Sequence, residues 1–169
     1  LAPRFKAREG TLEWYCIEFW SRELGLDIVA LHHEAKARVG WLPGAQQFLK
    51  RLRAADKRVV LLTNSHPTTL AIKHGYTGVL DLLDDAASSA EFDAPKEQPL
   101  FWERAQQRFG FDPARSLFAD DSRPVLHAAH AAGIRWVYGV CRPDSDGTAH
   151  AHDEFQRIAA GSNEETNIA

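Results

Sequence analysis

A parallel, doubly wound α/β sheet is the fold class this sequence predicts, and three apolar runs predict it. Val59-Val60-Leu61-Leu62 is a continuous aliphatic stretch that runs straight into the small polar cluster Thr63-Asn64-Ser65. A run of this kind, bounded by turn signals, is the pattern of a strand buried on both faces. Ser116 to Ala119 is a second short apolar run, and it ends in Asp120-Asp121-Ser122. Arg135 to Val140 is a third, and helical patterns separate the three. Strand, helix, strand, helix, strand is how a parallel sheet with crossover helices reads in sequence.

Taken in order, Thr11 to Gly25 predicts a helix with Thr11 as N-cap and Gly25 as terminator. Its aromatic density (Trp14, Tyr15, Phe19, Trp20) exceeds what one buried stripe requires. Leu26 to Val39 reads as a second helix with a histidine-rich middle, and Trp41-Leu42-Pro43-Gly44 breaks the pattern as a linker. Gly44 to Ala55 is an amphipathic helix with Phe48, Leu49 and Leu52 inward and Lys50, Arg51 and Arg53 in solvent. After the strand at 58–63 comes a helix from about Thr68 to His74, then a short strand within Leu80 to Ala86. Pro99 to Phe109 is a helix ended by Gly110, and Arg123 to Ala132 one stopped by Gly133. From Cys141 the chain turns polar, and 159–169 reads as a disordered tail. The organisation expected is therefore a helical layer over 1–40, an α/β unit over 41–158 and that tail.

The bulk numbers fit one domain or one domain with a small insert: 169 residues, 44% hydrophobic and 25% charged. A net charge of -3 and a pI near 6.2 give no electrostatic footprint for nucleic acid. No run approaches the ~18 apolar residues of a membrane span, and no signal peptide opens the chain. Cys16 and Cys141 are far apart, without metal-ligand spacing, and read as reduced thiols in a cytoplasmic protein. The chain starts at Leu1 and contains no methionine, so the expectation is that Leu1 is not the natural start.

Three features point to one pocket. Thr63-Asn64 stands at the C-terminal end of a strand, where open α/β sheets place their ligands. A hydroxyl beside backbone N–H groups opening a helix is an anion receptor, and it is equally an ordinary N-cap cluster. Asp120-Asp121 puts two adjacent carboxylates after an apolar strand, a donor set for a hard cation such as Mg²⁺, or one helix cap and one solvated acid. Lys96, in Ala94-Pro95-Lys96-Glu97, could neutralise a phosphoryl group or orient a carboxylate, although most loop lysines are solvated.

In this order and spacing, Thr63-Asn64, Pro95-Lys96 and Phe118-Ala119-Asp120-Asp121-Ser122 resemble motifs two, three and four of the haloacid dehalogenase (HAD) superfamily. Trp14-Tyr15-Cys16 through Gly25-Leu26-Asp27, Leu62 to Pro67 and Arg142-Pro143-Asp144-Ser145 resemble its GMP/IMP 5′-nucleotidase branch. The resemblance covers the chain to about residue 158. It implies a Rossmann-like α/β core, with a helical cap inserted after the first strand and partly represented by residues 1–40. It further implies that Thr63 and Asn64 hold the transferring phosphoryl group and that Lys96 holds nucleophile and phosphate charges together. Asp121, aided by Asp120, would bind Mg²⁺. The chemistry implied is hydrolysis of a phosphate monoester through an aspartyl-phosphate.

One part of the family pattern is absent. The first motif, Asp-x-Asp-Gly-Thr at the end of the first core strand, supplies the nucleophile and the acid/base. By that pattern it belongs upstream of Leu1, on a strand between those ending at Thr63 and Ala119. Asp144-Ser145-Asp146-Gly147-Thr148 has the letters but follows no suitable strand. The expectation is a C-terminal portion that is inactive as given, with two unpaired sheet edges that either pair with each other or weaken the fold. Phosphatase action on a sugar phosphate or phosphoglycolate is the second enzyme reading. A non-catalytic phosphate-binding or scaffold domain is the reading from another class.

Other residues have two readings each. His32/His33, His127/His130 and His150/His152 come in near pairs without zinc spacing, and His127 and His130 fit an exposed helix face. His66 follows Thr63-Asn64 and either reaches substrate or caps the next helix. Trp14, Tyr15 and Trp20 either stack a purine or pack as core. Arg123 contacts phosphate or solvates a helix start.

Overall fold

The structure is a computed structural model and describes residues 5–143 and the backbone of 156–158. Three short helices come first: α1 (Leu12–Tyr15), α2 (Ile17–Leu24) and α3 (Ile28–Glu34). The single helix expected over Thr11 to Gly25 is broken at Cys16, whose extended backbone (φ -89°, ψ 110°) ends α1 and serves as N-cap of α2. Gly25 closes α2 in the left-handed conformation (φ 65°) that glycine adopts without penalty. The helix expected from Leu26 starts later, because the Asp27 carboxylate accepts the Ala30 N–H and so sets the cap. It relaxes into a 3₁₀ turn at Ala35–Arg38.

The α/β unit runs α4 (Ala45–Ala54), β1 (Val60–Thr63), α5 (Pro67–Thr77), β2 (Asp85–Ser88), α6 (Pro99–Phe109), β3 (Leu117–Asp120), α7 (Arg123–Ala131), β4 (Trp136–Val140) and β5 (Gln156–Ile158). The short strand expected over Leu80 to Ala86 forms instead at Asp85–Ser88, and Val79–Leu82 is a 3₁₀ turn. Phe48, expected inward on α4, is 40% exposed.

Every strand pair is parallel, as the sequence pattern requires, and the strands form two sheets. β1 pairs with β2 in the register Thr63↔Ser88, and β3-β4-β5 form the second sheet with Asp120 opposite Gly139. β1 and β3 exchange no ladder hydrogen bonds. This corrects the expectation of a strand buried on both faces at 60–63: all four residues are only half-buried, since the strand is flanked by a partner on one side. β3 alternates between exposed and half-buried residues, and Leu117 is 47% exposed.

Burial concentrates beneath α6 and α7. Phe92, Phe101, Trp102, Phe109, Val125 and Leu126 pack as one cluster, reached from the sheets by Ala87 and Val137. Phe101 is fully buried and meets Phe92 edge-on with centroids 5.1 Å apart, the arrangement that ring quadrupoles favour. α6 runs as the sequence predicts, with Pro99 in its first turn and Gly110 (φ 60°) closing it. No helix among the described residues is long and apolar enough to cross a membrane.

Candidate functional site

Because both sheets are parallel, the C-terminal ends of β1, β2 and β3 set the site, and each ends in a polar residue: Thr63, Ser88 and Asp120. A parallel strand leaves its last carbonyls and side chains facing the crevice beyond the sheet. Lys96 crosses this crevice from the loop after β2. Its side chain is 9% exposed and its Nζ lies 2.5 Å from Oδ2 of Asp120, itself 10% exposed. A lysine this deep is held charged only by a partner of opposite sign. Asp120 is that partner, and its other oxygen accepts the Ser122 N–H at 2.9 Å. The Phe118 ring lies 5.6 Å from the ammonium.

The Lys96 backbone is held as firmly as its side chain. Its N–H donates to Asn64 Oδ1 (2.9 Å), and its carbonyl accepts the Trp102 indole N–H (2.8 Å). Asn64 therefore braces the lysine loop. Its amide nitrogen donates to Glu97 Oε2 at 3.0 Å, so both ends of the side chain have protein partners. Thr63 Oγ1 accepts the Ser65 N–H at 3.0 Å, and Ser88 Oγ donates to the Ser65 carbonyl at 2.7 Å. These two bonds tie the ends of β1 and β2 together and leave the Thr63 hydroxyl proton available to a ligand.

Glu97 was not singled out in the sequence, nor was Tyr15 as its partner. The Tyr15 hydroxyl reaches from α1 and donates to Glu97 Oε1 at 2.5 Å. Burial first, and then the Glu97 carboxylate beside it, push the Tyr15 phenol well above its ordinary value. Position 97, adjacent to Lys96, was the signal for Glu97. Nothing local marks Tyr15, which is 82 residues away. Trp14 and Trp20 turn to Phe5 instead, Phe5 stacking on Trp20 at 4.2 Å, and both tryptophans pack half-buried within the helical lobe.

His66 is the N-cap of α5, its Nδ1 facing the Thr68 N–H at 3.4 Å and Glu18 Oε2 at 3.1 Å. Asp121 follows β3 in an exposed bend. Thr63, Asn64, Lys96 and Asp120 thus meet at the strand ends, Asp121 follows Asp120 in its exposed bend, and His66 turns toward the helical lobe. His127 and His130 lie on the exposed face of α7. Asp144 to Thr148, and with them His150 and His152, lie outside the described residues.

A family profile described as haloacid dehalogenase-like hydrolase matches residues 6–133. This chain belongs to the haloacid dehalogenase-like hydrolases. Among curated relatives, the GMP/IMP nucleotidase YrfG of Escherichia coli (strain K12) is 41% identical over 147 residues, covering 87% of this chain and 65% of the relative. The chain therefore spans slightly under two thirds of that relative's length. Protein CbbY of Rhodobacter capsulatus is 31% identical over 106 residues, 61% of this chain and 47% of that protein. Among solved structures, a HAD phosphatase from Thermococcus onnurineus superposes with a TM-score of 0.78 at 17% identity, over 95% of this chain and 73% of that one. L-2-haloacid dehalogenase from Xanthobacter autotrophicus gives 0.63 at 23%, over 86% and 63%. The HAD-like fold expected from the motifs is thereby established.

Proposed function

We propose that this chain forms the phosphate-holding part of a Mg²⁺-dependent phosphomonoesterase acting on nucleoside 5′-monophosphates, GMP or IMP among them. The observation that carries the reading is the buried Lys96–Asp120 pair at the strand ends, bridging the crevice between the two sheets. A fixed ammonium in a low-dielectric crevice stabilises charge on a transferring phosphoryl group far better than it would in water. In this reading the Thr63 hydroxyl donates to a phosphoryl oxygen, while Asn64 holds the lysine loop in register. The named activity of the E. coli relative supports the nucleotide assignment.

Asp121 and Asp120 fit Mg²⁺ by donor chemistry: two adjacent carboxylates, one exposed and one anchored by Lys96, are hard-oxygen ligands. When bound, the ion supplies Lewis-acid neutralisation of phosphoryl oxygens. The crevice needs one further part, a carboxylate nucleophile. The parallel, unjoined β1 and β3 suit a strand between them that carries Asp-x-Asp-Gly-Thr at its end. Its first carboxylate would attack phosphorus and expel the ester oxygen, which the second Asp protonates. Water would then cleave the aspartyl-phosphate.

The test is phosphate release from GMP and IMP with Mg²⁺, comparing the 169-residue chain with the chain extended upstream by such a segment. The chain alone is expected to be inactive, and the extended form active and abolished by Asp121→Ala. Turnover by the chain alone would overturn the placement of the nucleophile, and undiminished turnover in Asp121→Ala would overturn the metal assignment. A preference for sugar phosphates or phosphoglycolate would move the substrate class and leave the mechanism standing. An extended form that binds phosphate without turnover would favour the scaffold reading.

A further inference from the structure

Where the helical lobe meets the start of α5, three side chains of different chemistry converge. Cys16 caps α2, Glu18 sits in the first turn of α2, and His66 caps α5. Cys16 Sγ lies 3.6 Å from Glu18 Oε2, and His66 Nδ1 lies 3.1 Å from the same oxygen. The ligand atoms of all three fall within 4.8 Å of one another. Zinc bonds of ~2.3 Å to sulfur and ~2.0–2.2 Å to oxygen and nitrogen, at tetrahedral angles, put S···O edges near 3.6 Å and N···O edges near 3.4 Å. The two measured edges match these within a few tenths of an ångström.

An outer shell is already in place, since Thr68 Oγ1 donates to the other Glu18 oxygen at 2.9 Å and the Phe19 N–H to Cys16 Sγ at 3.4 Å. The site is reachable, the His66 and Glu18 side chains being 24% and 45% exposed.

We propose that Cys16, Glu18 and His66 form a site for a borderline-soft divalent ion, Zn²⁺ by preference, that ties the helical lobe to the core two residues beyond Asn64. A thiolate and an imidazole select such an ion over Mg²⁺, and three protein ligands leave a fourth position for water or an anion. Binding releases the Cys16 thiol proton and draws on the Nδ1 lone pair of His66. The assignment does not depend on the phosphatase reading.

Cobalt(II) is the probe, because a thiolate ligand gives it a charge-transfer band in the near ultraviolet. Cys16 and Cys141 are the only cysteines, so the chain carries its own control. One equivalent of Co²⁺ is expected to develop the band in the native chain and in Cys141→Ser, Zn²⁺ to displace it, and Cys16→Ser to lack it. Thr68→Val, which removes the outer-shell donor, should weaken binding about 10–100-fold while keeping the band. Circular dichroism checks each variant. If Cys16→Ser fails to fold, His66→Gln stands in, with binding weakened at least as much as in Thr68→Val. No band in the native chain, a band surviving Cys16→Ser, or affinity unchanged in His66→Gln would overturn the site.

Discussion

The helical lobe (α1–α3) and the α/β unit are held by different forces. Beneath α6 and α7 the interior is apolar and closed, with Phe101, Ala105, Leu126 and Ala129 at zero exposure. In the lobe, Ile17 alone among the described residues of α1–α3 joins the buried hydrophobic set. Its grip on the core is polar: Tyr15 to Glu97, Glu18 to Thr68 and His66, and His33 to Tyr76 at 3.0 Å. Apolar burial is non-directional and strong in sum, whereas each such hydrogen bond nets only about 1 kcal/mol. An interface built this way opens at far lower free energy than the core unfolds. The difference places stability in one region and adjustability in the other.

Substitutions in the two regions test this contrast. The largest expected effect is in the core: Phe101→Ala should cost about 3–5 kcal/mol in denaturant unfolding, whereas Trp20→Ala, half-buried in the lobe, should cost clearly less. Equal losses would erase the distinction. Next is the crevice pair, where Lys96→Met should cost about 3–5 kcal/mol by stranding a buried Asp120 charge. Lys96→Met with Asp120→Asn should recover part of that loss, and strict additivity in the double-mutant cycle would mean the pair is uncoupled.

Tyr15→Phe comes third, at about 1.5 kcal/mol for a hydrogen bond to a charged acceptor. The folded phenol titrates above its ordinary value of 10.0. Its contribution is therefore complete below pH 10, and it is lost as pH rises above that through the folded value. In an ultraviolet titration of the three tyrosines, the last to ionise should disappear in Tyr15→Phe. The smallest effect is at the surface, where the Glu91–Arg108 pair lies at 2.7 Å with both side chains about two-fifths exposed. Burial pushes Glu91 up, but the Arg108 hydrogen bond and charge, with the Ser88 N–H, hold it below its ordinary 4.5. Its stabilisation is present above pH 4.5 and fades as pH falls below it. Arg108→Ala should cost no more than about 0.5 kcal/mol after solvent screening.

Local chemistry made much of this legible. α6 was readable from Pro99 and Gly110 because a fixed φ at the start and a left-handed closure at the end are properties of single residues. The polar ends of β1 and β3 marked the crevice because side chains at the ends of parallel strands must face it. Cys16 was not readable as a break, since nothing in Trp14-Tyr15-Cys16-Ile17 opposes a continuous helix. What interrupts it is the turn that brings Tyr15 to Glu97 and Glu18 to Thr68.

Most element types, the parallel sense of the strands and the residues at the strand ends are legible from local sequence. Those follow from propensity, periodicity and the reach of a few neighbouring residues. Long-range packing sets the split into two sheets, the Asn64 brace on Lys96, and the meeting of Cys16, Glu18 and His66. Each of these joins residues far apart in the chain, and their positions depend on how whole elements pack.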